Sequence, residues 1–189
     1  RFDDEVDQAV LLEELTKYYA NILTLYSPLV KKLISKVQDM GLEIDMIAPD
    51  HGVIWRSNPQ MALDAYYKWS HNEGDGNALI TSDPMWHSTE KMAKEVGAGL
   101  QDEGISYQLI NLRYNHRSDV MRDVLNASAI ILGCPTLNNG LLPRMAGFLM
   151  YMRGLRPANK VGAAFGSFGW SGESVKLLNT AMEEMKFDV

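Results

Sequence analysis

The chain has one cysteine, Cys134, among its 189 residues, so no disulfide can form within it. A lone cysteine is typical of a reducing compartment, and we expect a cytoplasmic protein. No apolar run approaches the ~18 residues that a membrane-spanning helix needs. No basic stretch is present, and acidic residues outnumber basic ones by 24 to 18. These absences predict no membrane anchor and no nucleic-acid partner.

The two ends of the sequence lack the marks of a complete polypeptide. The chain starts at Arg1 without a methionine or a targeting pattern, and it stops in "MKFDV", which is typical of the start of a strand. We therefore expect an internal piece of a longer polypeptide, with room for one or two domains.

The first part of the chain, residues 1–76, shows helical and irregular patterns. Two amphipathic helices are predicted, the second beginning at "SP" (27–28) and ending at Gly41. "EIDMIA" (43–48) predicts a strand, "NPQMALDAYYKWS" (58–70) a helix, and "HNEGDGN" (71–77) a domain linker. The two predicted apolar faces consist of Leu11, Leu15, Tyr18, Tyr19 and Ile22, and of Val30, Leu33, Ile34 and Val37.

From residue 77 onward, strand patterns alternate strictly with helical ones. The predicted strands are 78–82, 106–112, 127–133 and 160–166, with a fifth opened by "FDV" (187–189). The predicted helices are 88–101, 118–125, 141–153 and 172–185. Such alternation predicts an α/β fold, a doubly wound parallel sheet with helices on both faces.

Three loops follow strands of this predicted sheet and are rich in hydroxyl, amide, glycine and aromatic residues. They are "SDPMWHST" (82–89), "GCPTLNNG" (133–140) and "GSFGWSGES" (166–174). Ligands of doubly wound sheets bind at the carboxyl ends of the strands, where these loops lie. We therefore predict one binding site made from all three.

The first loop has the layout of a phosphate cradle but contains no glycine. Helix amides and the hydroxyls of Ser82, Ser88 and Thr89 can still hold a phosphate. The alternative is that Ser88 or Thr89 only caps the helix. Trp86 and the glycine-flanked Trp170 offer faces for a flat ligand, unless Trp170 is a core residue. Flavin mononucleotide (FMN) fits better than a dinucleotide, because no G-x-G-x-x-G follows the first strand.

Four motifs resemble those of the flavodiiron proteins, in the order and spacing of that family. They are "APDHGVIWR", "SDPMWHSTEKMA", "GCPTLNNGLLP" and "LRPANKVGAAFGSFGWSGES". The resemblance implies a flavodoxin-like FMN domain at 77–189, with its last strand truncated. It also implies that residues 1–76 are the C-terminal part of a metallo-β-lactamase-like di-iron domain plus linker.

The resemblance also implies which residues contact the cofactors. FMN would lie against Ser82, Met85, Trp86, Ser88, Thr89, Pro135, Thr136, Leu137, Asn138, Asn139, Ser167, Phe168, Gly169, Trp170 and Gly172. His87 either donates to the flavin phosphate or faces solvent. His51, in "DHG", would be the last histidine ligand of two iron ions. The family's upstream H-x-E-x-D-H cluster is absent, so this chain alone cannot complete that site.

The remaining candidate side chains are predicted to be structural or solvated. Cys134 follows a buried strand and has no nucleophile partners in sequence, so we predict a structural thiol. His71 is predicted to be solvated and His116 to be a surface loop residue. No residue is predicted to act as a general acid or base.

By resemblance, the full-length protein would be an oxidoreductase that passes electrons from FMN to the irons and reduces oxygen to water or nitric oxide to nitrous oxide. Its electron donor would be rubredoxin, a flavin reductase or a reduced deazaflavin, and its assembly a head-to-tail homodimer or a tetramer. Two alternatives stay open at this point. One is a stand-alone flavodoxin-like electron carrier, and the other is a phosphate-binding regulator without flavin, for which the chain lacks an acidic cluster.

Overall fold

A computed structural model describes residues 1–189 and contains one parallel sheet of four strands. The strands are β1 (Ala78–Ser82), β2 (Tyr107–Asn111), β3 (Ala129–Gly133) and β4 (Val161–Phe165), in the order β2-β1-β3-β4. β1 is buried throughout because it lies between two neighbours and beneath helices. The order reverses between β1 and β3, which places a switch point at the carboxyl ends of these strands.

The predicted fifth strand is not formed, so the expectation of five strands is wrong for this chain. Only one residue of the final segment pairs with the sheet, as an isolated parallel bridge between Asp188 and Val161. Gly162 N donates to Asp188 O at 2.6 Å, and Asp188 N donates to Lys160 O at 3.0 Å. A single residue follows Asp188, which is too short a stretch to extend the ladder.

Seven α-helices surround or precede the sheet, and most are close to their predicted limits. They are α1 (Gln8–Tyr18), α2 (Ser27–Asp39), α3 (Pro59–Ser70), α4 (His87–Asp102), α5 (Arg117–Asn126), α6 (Pro143–Leu155) and α7 (Glu173–Glu184). Local chemistry explains several ends. Asp7 and Asn58 accept from the first amides of α1 and α3, and Pro59 and Pro143 occupy the first turns of α3 and α6. No helix is long and apolar enough to cross a membrane.

The first predicted apolar face is partly wrong, because α1 does not continue as a regular helix. Residues 19–23 form a π-helical turn, in which Thr24 N donates to Tyr19 O, and a 3₁₀ turn follows at residues 24–26. The wider turn shifts the 3.6-residue spacing. Tyr19 is fully buried, whereas Ile22 is 49% exposed.

Two further predictions for the first part of the chain are corrected. On α2, Ile34 is buried but Leu33 is 62% exposed, so the two do not share a buried face. Residues 43–48 form no strand. Their one ladder contact is an antiparallel bridge between Ile47 and Trp55, because no other segment lies alongside to pair with them.

The two parts of the chain share one hydrophobic core. Tyr19, Ala20 and Trp69 belong to the same buried cluster as β1, β3, α5, α6 and α7. The ring of Tyr19 lies 5.3 Å from that of Trp69 and 5.1 Å from that of Tyr66, and its hydroxyl lies 3.0 Å from Ser27 Oγ. Residues 1–76 therefore pack against α5 and α6, and the shared core continues through these helices to the sheet.

The segment predicted to be a linker, residues 71–77, is tied to the turn between α5 and β3. Asp75 N donates to Asn126 O at 2.8 Å, and Gly76 N donates to Ser128 Oγ at 2.9 Å. A Cβ on Gly74 would lie 2.3 Å from Ser128 Oγ, so only glycine allows this approach. These contacts fix the register at which the chain enters β1.

Candidate functional site: a cleft between three loops

The three predicted loops meet at the carboxyl edge of the sheet. Ser82 at the end of β1 pairs in register with Gly133 at the end of β3, which pairs with Phe165 at the end of β4. Each loop therefore begins beside the next. The sequence prediction that the loops converge is confirmed by this register.

The first loop presents free backbone amides. α4 begins at His87, and its N-cap residue Trp86 makes no side-chain capping bond. The amides of His87, Ser88 and Thr89 donate to no group of the chain. The alternative that Ser88 or Thr89 caps this helix is therefore wrong, and the amide end of α4 is available to an anion.

Two hydroxyl pairs tie the loops together without any ligand. Thr89 Oγ1 lies 3.0 Å from Ser167 Oγ and joins the first loop to the third. Thr136 N donates to Ser167 O at 2.9 Å, and Thr136 Oγ1 donates to Ser174 Oγ at 3.0 Å. Ser174 N in turn donates to Thr136 Oγ1 at 3.2 Å. The site is therefore preorganised, and Ser174 takes part although it was not among the predicted contacts.

Gly166 lets the second and third loops approach closely. A Cβ at this position would lie 2.1 Å from Cys134 O and 2.9 Å from Ser174 Oγ. Both distances are far inside van der Waals contact. Any side chain at residue 166 would push the loops apart.

The second loop is shaped by a tight turn. Asn138 and Asn139 have φ values of 50° and 57°, a region that asparagine tolerates better than most residues. Leu137 and Gly140 exchange backbone hydrogen bonds of 3.0 and 2.9 Å across the turn. Ser171 Oγ donates to Asn139 Oδ1 at 3.2 Å, which joins the tip of this loop to the third.

The loops enclose a cleft of about 560 Å³. The residues that line it are Met85, Thr136, Leu137, Asn138, Asn139, Gly169, Trp170 and Ser171. Trp170 is 101% exposed, Trp86 75% and Phe168 66%. Trp170 is therefore not a core residue, and that alternative is wrong. Trp170 lines the cleft, and Trp86 and Phe168 are exposed on two of the loops that form it, so three large aromatic rings are available to a flat ligand.

The remaining predicted contacts lie around this cleft at different depths. Ser82 and Pro135 are buried beneath it, and a Cβ added to Gly172 would lie 3.4 Å from the Phe168 ring. His87 points away into solvent with an 87% exposed side chain, and its Nδ1 lies 3.7 Å from Glu90 Oε2. A phosphate contact from the His87 imidazole stays a prediction.

A buried carboxyl, that of Asp83, lies under the first loop. Burial raises its pKa, while the Met145 N–H at 3.2 Å and the nearby guanidinium groups of Arg144 and Arg113 oppose that rise. Asp83 thereby links the first loop to the start of α6. Local sequence patterns do not indicate this contact, because Met145 lies 62 residues from Asp83.

Cys134 is enclosed by backbone groups. Its thiol donates to Pro135 O at 3.3 Å and accepts from Leu142 N at 3.4 Å. Burial, reinforced by the charge of Asp83, raises its pKa to about 11, although the Leu142 N–H opposes the shift. The structure agrees with the prediction of a structural thiol, because such a group is rarely a thiolate at neutral pH.

His51 lies apart from the cleft, in the first part of the chain. It is exposed, its ring lies 6.0 Å from that of Tyr18, and it borders a largely apolar cavity of about 330 Å³. Glu14 is the only other His, Cys, Asp or Glu residue that lines that cavity. No three His, Cys, Asp or Glu residues are grouped anywhere in the chain so that they could hold a metal ion. The residues present therefore do not fit a di-iron centre.

Comparison with known proteins places the chain in a family. The family model described as Flavodoxin matches residues 80–189. The chain therefore belongs to the flavodoxin family. This match begins in β1 and includes all three loops of the cleft.

Similarity to larger proteins extends over the entire chain. It is 42% identical to the nitric oxide reductase of Moorella thermoacetica, covering 100% of this chain and 47% of that protein. The structure of rubredoxin oxygen:oxidoreductase from Desulfovibrio gigas matches with a TM-score of 0.95 and 42% identity, again over 100% of this chain and 47% of that chain. The flavodiiron protein of Giardia intestinalis matches with a TM-score of 0.93 and 30% identity, with the same two coverages.

These matches confirm the resemblance to flavodiiron proteins that the four motifs predicted. The flavodoxin-like α/β fold is confirmed with them. The chain spans about half the length of the curated relatives it matches.

Proposed function

We propose that the cleft between the three loops binds FMN, and that the chain is part of a flavodiiron oxidoreductase. The whole protein would reduce oxygen to water or nitric oxide to nitrous oxide. The observation that carries the proposal is the pairing of free α4 amides with exposed aromatic rings at one switch point of a flavodoxin-type sheet. A phosphorylated flat ligand needs both features in one site.

The phosphate would lie at the amino end of α4. Three backbone amides without protein acceptors and the helix dipole favour a dianion there. Ser88 is exposed beside these amides, so its hydroxyl can also donate to a phosphate oxygen. No lysine or arginine lies within the loop, which suits a monophosphate ester rather than a triphosphate with magnesium.

The ring system of the flavin would occupy the 560 Å³ cleft beside Trp170. The Asn138 and Asn139 turn and the Gly169 backbone bring polar groups to the edge of the same space. Because Thr136 and Ser174 hold these loops in place without a ligand, little ordering entropy is lost on binding. When bound, FMN supplies two-electron redox chemistry, while the chain orients its ring and limits access of water.

The domain division remains part of the proposal. We assign residues 1–76 to the end of a metallo-β-lactamase-like domain plus linker, and residues 77–189 to the FMN domain. His51 is offered as one iron ligand of the longer protein, and the other ligands would lie outside this chain. Rubredoxin, a flavin reductase or a reduced deazaflavin would be the electron donor, and a head-to-tail dimer or a tetramer the assembly.

Titration of the flavin-free chain with FMN, riboflavin and FAD tests the proposal. Quenching of flavin fluorescence reports binding. FMN should bind at least about tenfold, and up to about 100-fold, more tightly than riboflavin, because riboflavin lacks the phosphate that would accept hydrogen bonds from the α4 amides. Equal affinities for FMN and riboflavin would contradict the phosphate assignment, and no binding of any flavin would contradict the function.

Two variants test, in the same titration, where the ring system of the flavin binds. Trp170→Ala should weaken FMN binding about tenfold through loss of an aromatic face. Tyr114→Ala, which removes an aromatic that is 77% exposed but lies outside the cleft, should leave the affinity within about twofold. Equal effects of the two substitutions would place the ring elsewhere. Iron content is also measured, both in this chain and in the longer polypeptide that the proposal implies. Iron in the longer polypeptide alone would support the assignment of the missing metal ligands to residues outside this chain.

A further inference from the structure

Two carboxylates of the chain are buried, and they differ in how their charge is satisfied. Asp3 is 2% exposed, and both of its oxygens accept hydrogen bonds from the backbone amides of residues 56–58. Asp83 is 1% exposed, and only its Oδ2 accepts a hydrogen bond within the chain, from Met145 N at 3.2 Å. Asp3 therefore has the bonds of a structural carboxylate, whereas the charge of Asp83 is largely uncompensated.

No cation neutralises Asp83 at close range. No lysine or arginine nitrogen lies within 4.0 Å of its carboxylate. Burial raises the pKa of the carboxyl, and Arg144 on α6 and Arg113 after β2 oppose that rise only from a longer distance. The thiol of Cys134 is the other titratable group within reach of this charge. A buried charge without a close partner costs stability, and such groups concentrate at functional sites.

The bond to Met145 does not require the charge. The N-cap residue of α6, Leu142, provides no side-chain cap, and Asp83 accepts instead from the amide of the third residue of that helix. An asparagine at residue 83 would offer an oxygen of the same shape to the same amide. The hydrogen bond therefore explains an acceptor at this position, and the negative charge needs a separate explanation.

Asp83 is close to the cleft on two sides. Met85, which lines the cleft, is two residues further along the first loop, at most about 7 Å away along the backbone. On the other side, the charge of Asp83 acts on Cys134, which is two residues before the lining residue Thr136. Charges in a dry interior are weakly screened over such distances, so a ligand in the cleft lies within reach of this one.

Reduction changes the charge of the ring that the cleft would hold. The ring of oxidised FMN is uncharged. Two electrons and one proton convert it to an anion, and a second proton returns it to neutrality. A nearby negative charge opposes the anion and has little effect on the oxidised ring.

We propose that the buried charge of Asp83 selects between the redox forms of the bound flavin, by disfavouring the anionic reduced ring relative to the oxidised ring. This inference rests on the proposed function and assigns the balance between the two forms to one residue. In the reduction itself, both electrons come from the reductant and the proton from solvent. Asp83 acts through space, and its side chain neither gains an electron nor forms a bond to the ring.

The test measures the dissociation constants of oxidised FMN and of dithionite-reduced FMN separately. Both are obtained by anaerobic isothermal titration calorimetry at pH 8, well above the usual pKa of a carboxyl. The ratio of the two constants, reduced over oxidised, isolates the effect of charge, because a loosened loop would weaken the binding of both forms alike.

Three variants separate the charge of Asp83 from its hydrogen bond and from net charge. Asp83→Asn should lower the ratio about tenfold, which corresponds to a two-electron potential about 30 mV more positive. Asp83→Ala should lower the ratio similarly and also weaken both forms, because the Met145 amide loses its acceptor. Asp102→Asn removes the same charge from the exposed last residue of α4, about 22 Å from the amide end of that helix, and should change the ratio less than about twofold.

A second readout needs no flavin. The chemical shift of the Met145 amide proton should follow the titration of Asp83 in the free chain, with a midpoint above the usual carboxyl value of 3.8, and should lose this titration in Asp83→Asn. Because the folded pKa is raised, the free energy of unfolding of the wild type relative to Asp83→Asn should fall as the pH rises through that midpoint. A midpoint at or below 3.8 would mean that the charge is compensated, and would overturn the proposal.

The calorimetric outcomes distinguish this role from the proposed function. If the wild type and Asp83→Asn both bind FMN with the same ratio, the role of Asp83 is overturned and the proposed function stands. Equal changes of the ratio in Asp83→Asn and Asp102→Asn would indicate an effect of net charge and would also overturn the role. Failure of the wild type to bind any flavin would contradict the proposed function and this role together. Circular dichroism of each variant verifies that the fold is retained.

Discussion

Apolar side chains are buried in different ways in the two regions of the chain, residues 1–76 and residues 77–189. In the second region, the central strands β1 and β3 are buried by their neighbours and by the helices that alternate with them, whereas the edge strands β2 and β4 stay partly exposed. In the first region, short helices joined by a π-helical turn obtain much of their burial from α5 and α6 of the second. The comparison shows that the segment before the flavodoxin-type sheet is structurally part of its core.

The largest expected effect is on this shared core. Tyr19→Ala should lower the free energy of unfolding by about 3–5 kcal/mol, because it removes a fully buried ring that contacts Tyr66 and Trp69. Urea unfolding followed by tryptophan fluorescence and by circular dichroism should give one coincident transition. Two separated transitions would mean that the two regions unfold independently.

Two tyrosine variants serve as controls for that experiment. Tyr19→Phe removes only the hydroxyl that lies 3.0 Å from Ser27 Oγ, and should cost about 1 kcal/mol. Tyr26→Ala, at a position that is about half exposed, should change the free energy of unfolding by less than about 1 kcal/mol.

The next effect tests the close approach of two loops in the second region. Gly166→Ala should lower the free energy of unfolding by about 3 kcal/mol, because its Cβ would lie 2.1 Å from Cys134 O. Gly169→Ala, with no atom within 4 Å of the added Cβ, should cost less than about 0.5 kcal/mol. Similar unfolding midpoints for the two variants would show that the third loop yields at little cost.

A smaller effect concerns the buried thiol. The pKa of Cys134 is raised from 9.0 to about 11 in the folded chain, so the stabilisation it gives is complete below pH 9 and is lost as the pH rises toward 11. The loss should be on the order of 1–2 kcal/mol. It is measured as the difference between the wild type and Cys134→Ala in urea unfolding across that range. This difference cancels the contribution of Lys160, whose pKa burial lowers to about 8.

Thiol chemistry gives an independent check of the same residue. At pH 8 the native Cys134 should react with a disulfide reagent at least about 100-fold more slowly than in urea, because it is buried and protonated. A native rate close to the denatured rate would indicate that the loops around it open frequently.

A further prediction compares neighbouring positions of α2 in the first region, one of which should have almost no effect. Leu33→Ala should change the free energy of unfolding by less than about 0.5 kcal/mol, because that side chain is mostly exposed. Ile34→Ala should cost about 2–3 kcal/mol, because Ile34 is buried. Equal costs would contradict the orientation of α2 in the structure, in which Ile34 faces the core and Leu33 faces solvent.

Prediction from sequence succeeded where local periodicity and burial agree. β1 was predicted at its observed limits, and the other strands within two residues, because apolar runs bounded by polar loops leave little freedom. The strand predicted at 43–48 failed because a strand needs a partner, and only Trp55 pairs with Ile47 there. The prediction that Ile22 belongs to the apolar face of the first helix failed because the π-helical turn alters the 3.6-residue spacing from which that face was predicted.

The sequence by itself determined the β/α alternation, the three polar loops and their place at strand ends, since these follow from short-range patterns. Tertiary structure decided how the loops combine. The Thr136–Ser174 bond, the approach at Gly166 and the bond from Met145 N to Asp83 join residues that are tens of positions apart. Such contacts depend on strand order and register, which long-range packing sets and local residue patterns do not encode.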